Sequence, residues 1–503
     1  MSAVSTMQWS AEGRSMRLLL DVVYGLAGLA VSPILLYRMV RHGRYRRGWG
    51  QRFGRVERRN PDKKCIWLHA VSMGEVNAAQ TLLTEIERQL PDFEIVISTT
   101  TDTGFARADK LFGSRWNVFY FPFDLSWVTR RVFDRLRPAV CLLMELEVWP
   151  NFVFAAHERK IPVVVVNGRI SDRSFSRYRR IKRITRTFFG KLDLVLAQTQ
   201  QYADRFRELG CPGERVRVTS SLKYDTAQVA DRVEGADALA QQLHLTAAPL
   251  WVAGGTGDEE EKIVLEVYAA LLQDRRFEGL RLAIVPRKPE RFDEVAALIE
   301  RMGFALVRYS QLKGTARGEG VPPLRHEAIL ASRRVAGVPP ANHGQDARDT
   351  QGRDALATKD KGGTGSPTRS IALGSPTPSP RVPVILGDTM GDLRKFYSLA
   401  TVIFVGRTLV PMGGSDMMEA AALGKCTIFG PHTFNFRQTV EVLLQGQGAI
   451  QIADADDFRR TMEKCLSDRA FAATIAQAGQ AVIRQNQGAT ARTMEVLRQL
   501  LQA

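Results

Sequence analysis

Several acidic and basic side chains in this 503-residue chain sit just after short apolar runs, where a parallel sheet offers its loops to ligands. Ser72-Met73-Gly74-Glu75 follows CIWLHAV at Cys65–Val71. Gly74 permits a tight turn into a helix, and Glu75 falls in the first helical turn, where the helix N-terminus favours an ionised carboxylate. Such a group can take a proton from a hydroxyl when substrate excludes water; an acid that only supports the helix start fits the same residues. MELEVWPN at Met144–Asn151 sets Glu145 and Glu147 beside a Trp-Pro turn. STTTDTG at Ser98–Gly104 is a hydroxyl-rich helix entrance, able to cradle an anion or simply to cap the helix. In the second half, Val285-Pro286-Arg287 brings a guanidinium to a strand end, suited to bidentate contact with phosphate. Gly413-Gly414-Ser415-Asp416 opens a helix, with Glu419 one turn along. Neither GxxxxGK(S/T) nor GxGxxG stands at a strand end, which weighs against nucleoside triphosphates and dinucleotides. The Asp454/Asp456 pair lies away from any expected strand end and is set aside.

The elements that must position these residues alternate. Strands are expected at Cys65–Val71, Phe93–Ser98, Val118–Phe121, Val140–Met144, Val163–Asn167 and Leu194–Gln198, with helices at Val76–Leu90, Phe105–Leu111 and Trp127–Leu136 between them. The runs are apolar on both faces, which predicts a parallel sheet covered by helices. The rhythm restarts near Pro249 with PLWVAGGT, LRLAIVPR, VIFVG and KCTIFG. The expected architecture is therefore α/β, with two Rossmann-like domains facing across a cleft, spanning residues 38–235 and 236–503. From about 310 to 381 the chain is rich in Gly, Pro, Ser and Thr without periodicity, and is expected to be a disordered insertion.

Composition narrows the function classes. With 45% apolar and 24% charged residues the chain is neither wholly disordered nor fibrous, and five Cys without a CxxC pair exclude a disulfide scaffold or zinc knuckle. The net charge of +17 concentrates in two stretches: nine Arg between Arg38 and Arg59, and eight Arg or Lys between Arg169 and Arg186. Such patches read as nucleic acid, anionic membrane or a phosphorylated ligand. The first patch directly follows Leu18–Tyr37, a run interrupted only by Asp21 and Pro33 and long enough to reach across hydrocarbon as a helix. Residues 1–37 are thus expected to be a single N-terminal anchor, spanning or half-inserted, with the basic side cytoplasmic. No small-residue cleavage site separates the run from the Arg cluster, which speaks against a signal peptide.

Read together and in order, the anchor, HAVSMGE at His69–Glu75, STTTDTG, FPFD at Phe121–Asp124, MELEVWPN, NGRISDRS at Asn167–Ser174, SLKYD at Ser221–Asp225, VPRKPERF at Val285–Phe292, GDTMGDL at Gly387–Leu393 and GPHTFNF at Gly430–Phe436 resemble the 3-deoxy-D-manno-octulosonic acid (Kdo) transferases of lipopolysaccharide synthesis. The resemblance runs from about Leu18 to the C-terminus, broken only by the insertion. It implies a GT-B glycosyltransferase that moves Kdo from CMP-Kdo to a lipid A precursor, lipid IVA, with inversion, at the cytoplasmic face of the inner membrane. It implies Glu75 as general base, Glu145 and Lys223 as transition-state stabilisers, and Pro286, Arg287, Met390, Gly391, Asp392, Asp416 and Glu419 as contacts to CMP. No metal and no cofactor is implied, and the partners are the donor, the acceptor and an anionic membrane surface rather than nucleic acid.

Two blocks depart from the family pattern. GGHNxxE is replaced by Gly413-Gly414-Ser415-Asp416-Met417-Met418-Glu419, and a Gly-Gly pair by Gly406-Arg407. An Asp at 416 adds negative charge beside a phosphate, so Arg407 is expected to compensate it. The altered block also admits a different class: a membrane-tethered protein that binds anionic lipid or nucleic acid on an inactive transferase scaffold. Glu75, Lys223 and Arg287 oppose that reading.

Overall fold

The computed structural model describes residues 2–42, 47–230, 232–245, 248–315 and 382–502, with side chains described from Met16 onward except at 35, 38, 42, 314 and 315. Two seven-stranded sheets, parallel throughout, form the frame. The first comprises β1 (Lys64–His69), β2 (Phe93–Thr99), β3 (Asn117–Tyr120), β4 (Pro138–Met144), β5 (Val163–Gly168), β6 (Leu194–Ala197) and β7 (Val216–Val218), in the order β3-β2-β1-β4-β5-β6-β7. The second comprises β8 (Leu250–Thr256), β9 (Arg281–Pro286), β10 (Leu306–Arg308), β11 (Val384–Leu386), β12 (Val402–Val405), β13 (Cys426–Phe429) and β14 (Ile450–Gln451), in the order β10-β11-β9-β8-β12-β13-β14.

The order reverses between β1 and β4 in the first sheet and between β8 and β12 in the second. Loops leaving adjacent strands diverge at such a point and open a crevice. The candidate residues follow these strands: Glu75 after β1, Glu145 after β4, Arg407 and Asp416 after β12. Continuous apolar runs such as Val163–Val166 are buried on both faces, as a helix-covered parallel sheet requires. Trp67 centres the first core, with Phe152 at 4.8 Å and Phe133 at 5.5 Å between ring centroids.

Two of the expected helices start one turn earlier than the apolar periodicity suggests, because polar caps precede the buried face. Ser72 caps the Met73–Gln89 helix and Thr101 caps Asp102–Phe112. The helix expected near Asp416 begins at Met418, since Gly413 and Gly414 hold φ of 88° and 90°, outside helical space. Residues 310–315 continue a helix, Tyr309–Thr315, so the ordered chain runs past the expected insertion boundary; 316–381 lie outside the described residues. Ser310 donates both its backbone N–H and its hydroxyl to Asp388, at 2.7 Å each, which ties that helix down. The last helix, Ala489–Gln502, returns to the first domain, where Ala489, Met494 and Leu497 are buried in its core.

The N-terminal helix, Ser2–His42, contains the stretch Met16–Ile34, the one helix among the described residues long and apolar enough to cross a membrane. Its first turns dock on the domain. Arg17 pairs with Glu158 at 2.7 Å, Met16 and Leu20 pack on the core, and Asp21, the charge inside the apolar run, accepts from Ser126 N–H at 2.8 Å and Asn151 Nδ2 at 3.1 Å. Beyond these turns Leu26, Leu29, Leu36 and Val40 are exposed.

Candidate active site

Ser72 and Glu75 form a reciprocal cap. Ser72 Oγ accepts from Glu75 N–H at 3.4 Å and donates its hydroxyl to Oε1 at 3.0 Å, while Val71 N–H donates to Oε2 at 3.0 Å. The local helix-start role and the chemical one therefore coexist in one side chain. Glu75 is half-buried. Burial first, then the nearby Glu145 and Glu147 carboxylates, push its carboxyl up to about 7, against the pull of Val71 N–H and the Ser72 hydroxyl. A carboxylate poised there suits proton abstraction near neutral pH.

Glu145 takes a left-handed φ of 53° where β4 ends, anchored by its N–H to Val166 O at 3.0 Å, and Lys223 Nζ stands 4.0 Å from its Oε1. Glu147 is held by Trp149 Nε1 at 3.0 Å and lies 3.8 Å from His69 Nε2. The Ser98–Gly104 loop turns inward as structure: Ser98 meets His69 Nδ1 at 3.0 Å and Trp67 Nε1 at 2.8 Å, and Thr101 caps its helix.

Between the domains lies a cavity of about 480 Å³. Gly74, Ala78, Arg169 and Lys223 line it from the first domain, and Arg287, Arg407, Asp416, Glu419 and Arg437 from the second. Glu75 and Glu145 are not themselves among the lining residues: Glu75 follows Gly74 in the chain, and Glu145 lies 4.0 Å from Lys223. Asp416 faces the open cleft yet is surrounded by protein, and that surrounding mass pushes its carboxyl up. Met418 N–H, which it accepts at 2.9 Å, opposes the shift, as do Lys223 and Arg287. Glu419 is raised by burial and by Asp416, with Arg394 and Arg287 opposing.

The expected Arg407–Asp416 pair does not form. Arg407 has a left-handed φ of 62° and donates Nη2 to Met412 O at 3.2 Å, and the cations that face Asp416 are Lys223 and Arg287. The left-handed backbone explains why glycine suits that position and what restrains Arg there. Glu260, fully buried, accepts the backbone N–H groups of Arg407, Thr408 at 2.7 Å, Leu409 at 2.8 Å and Gly257 at 3.0 Å.

The expected CMP contacts divide. Arg287, Asp416 and Glu419 line the cavity, and Pro286 ends β9 just behind Arg287. Met390 is exposed, Gly391 has φ 94°, and Asp392 is buried; all three lie outside the lining, which Leu393 reaches. Burial draws the Asp392 carboxyl up, but Lys313 at 2.8 Å, Thr389 at 2.6 Å and Lys395 at 2.9 Å outweigh it and hold it down at about 2. Sequence reasoning passed over Arg169, Tyr224, Tyr397 and Arg437 as site residues. Arg169 Nε and the Tyr224 and Tyr397 hydroxyls are buried without a hydrogen-bond partner among the described residues, polar atoms that a ligand in the cavity can satisfy.

A family described as 3-Deoxy-D-manno-octulosonic-acid transferase (kdotransferase) matches residues 47–226. The 3-deoxy-D-manno-octulosonic acid transferase of Haemophilus influenzae is 30% identical over 465 residues, covering 92% of this chain and 93% of its own length. That of Bordetella pertussis is 30% identical over 491 residues, covering 94% and 98%. In fold alone, the chain is similar to UDP-GlcNAc 2-epimerase from Neisseria meningitidis bound to UDP-GlcNAc, with a TM-score of 0.50 at 11% identity over 87% of this chain and 100% of that one. Two parallel-sheet domains of GT-B type, acid and base groups at both switch points, and full-length relatives at this identity lead to one conclusion: the chain belongs to the Kdo transferase family, glycosyltransferases of lipopolysaccharide biosynthesis.

Proposed function

We propose that this protein transfers Kdo from CMP-Kdo to a lipid A precursor, lipid IVA, with inversion at the anomeric carbon. The observation that carries the reading is Glu75: a half-buried carboxyl pushed up to about 7, next to a cleft lined by cations. Glu75 takes the proton of the acceptor hydroxyl as its oxygen bonds to the anomeric carbon, and the bond from that carbon to the CMP phosphate oxygen breaks. CMP leaves as an anion, so the departing charge calls for positive side chains, which Lys223 and Arg287 supply. Glu145 holds Lys223 in place across the cleft wall. Asp416 and Glu419 face the ribose side of the nucleotide, Pro286 sets the height of Arg287, and Met390, Gly391 and Asp392 shape the loop that borders it. The basic helix Asp172–Arg180, with no buried residue, is available to the acceptor's phosphates. The exposed apolar face of the N-terminal helix, followed by Arg47, supports anchorage at the cytoplasmic side of the inner membrane.

The test is Glu75→Gln in the full chain. Kdo transfer to lipid IVA is expected to fall by about 10²- to 10⁴-fold, with CMP affinity retained. Transfer at the native rate rejects the assignment.

A further inference from the structure

A second cavity, of about 360 Å³, lies between the docked part of the N-terminal helix and the first domain. Tyr24, Gly25 and Gly28 form the helix side, and Phe53, Phe123 and Trp149 the domain side. Its volume is that of a ligand pocket rather than of a packing defect. A side-chain carbon built on Gly25 or Gly28 would meet nothing within 4 Å, so the two glycines leave the space open where most residues would fill it. Apart from Asp124 and the Tyr24 hydroxyl the walls are apolar; Trp127 stacks on Phe53, and Leu26 and Leu29 on the same helix as the glycines are exposed. Phe53 and Phe123 meet edge-on at 5.3 Å, and Phe53 stacks on Trp127 at 6.0 Å, which makes that wall rigid.

One wall of the cavity leads toward Glu75. Trp149 forms part of its wall and donates Nε1–H to Glu147 at 3.0 Å, and Glu147 stands close enough to Glu75 to act on its charge. The Trp149 indole and the Glu147 carboxylate thus connect the wall of this pocket to the surroundings of Glu75. We infer that the pocket is a subsite for one fatty-acyl chain of the acceptor glycolipid, which sets the head group beside Glu75. The inference rests on the transferase reading. A chain held there is drawn from the bilayer at the helix surface without leaving apolar surroundings, and each further methylene that enters adds to binding.

The test uses the full chain and soluble acceptors that differ only in acyl length. In the native protein KM is expected to fall by about fourfold per added methylene until the pocket is full, then to level off. Gly25→Leu and Gly28→Leu fill the pocket while favouring the helix, so the levelling-off shifts to shorter chains with kcat and CMP affinity unchanged. An identical length dependence in native and variant proteins overturns the subsite. A second arm reads binding without turnover: an acceptor analogue with a diazirine on its acyl chain is irradiated and the labelled peptides are mapped. Labelling of residues 24–28 and Trp149 supports the subsite whether or not Kdo moves, and labelling confined to the exposed helix face from Leu29 onward overturns it. Absence of transfer to every acceptor counts against the transferase reading, and the labelling still decides the pocket.

Discussion

Lys223 stands between two carboxylates that belong to different domains: its Nζ lies 4.0 Å from Glu145, and its charge acts on Asp416 across the cleft. One cation thus links the acidic groups of the first domain to those of the second.

Glu145 is the largest charged contributor to the raised Glu75 carboxyl, second only to burial. As the proposed base, Glu75 must be ionised to accept a proton, so transfer is expected to fall as pH drops through about 7. Glu145→Gln removes the repulsion, and the acid limb of the kcat/KM profile is expected to move to lower pH, with a lower plateau because Lys223 loses its partner. An unmoved limb refutes the coupling.

Asp416 lines the cleft, where a negative charge disfavours a phosphate, and its surroundings keep it protonated to higher pH than an ordinary Asp. The neutral form does not repel an anion, so CMP affinity is expected to fall as pH rises and Asp416 ionises. Other titrating or charged groups around it are Lys223, Arg287, Glu419, Tyr224 and Tyr397. Asp416→Asn should bind CMP on the order of tenfold more tightly wherever Asp416 is ionised, about 1.4 kcal/mol. Calorimetric titrations across pH check this: a parallel pH dependence in both proteins rules it out.

Asp392 is a folding device. Its carboxyl sits at about 2 against an ordinary 3.8, so its contribution to stability is present above about 4 and disappears as pH falls through about 2. Asp392→Asn should cost about 2 kcal/mol at neutral pH, the scale of charged hydrogen bonds lost to Lys313 and Lys395. Thermal melts at stepwise lower pH are expected to converge; a constant gap down to the acid limit contradicts the account.

Much of the frame was legible because strands such as Phe93–Thr99 and Val163–Gly168 contain the apolar runs Ile95–Ile97 and Val163–Val166, and helices such as Ser126–Leu136 carry clear periodicity. Strands of two or three residues, β7, β10, β11 and β14, hold too few side chains to show a period. Glu75 was legible through its place after a strand, but Ser72 as its cap and donor became visible only with coordinates. Glu260 was hidden in an acidic run that reads as solvated surface, although it binds a loop almost 150 residues away in sequence. The Arg407–Asp416 expectation failed because charge complementarity in sequence carries no direction; Lys223, from the other domain, meets Asp416 instead. Arg169, Tyr224 and Tyr397 offered no spacing signal, since cleft lining is assembled from both halves.

The chain passes between the domains twice, and the passages are stitched side by side. Gln487 Nε2 donates to Tyr224 O at 3.0 Å and Ala227 O at 2.8 Å, and Gly488 N–H donates to Asp225 at 2.7 Å. The two passages thus form a double strap that joins the halves at one place. Removing the last helix would cut one strap and bare an oily groove on the first domain, so loss of the C-terminal fifteen residues should leave a protein that clumps before it loses any chemistry.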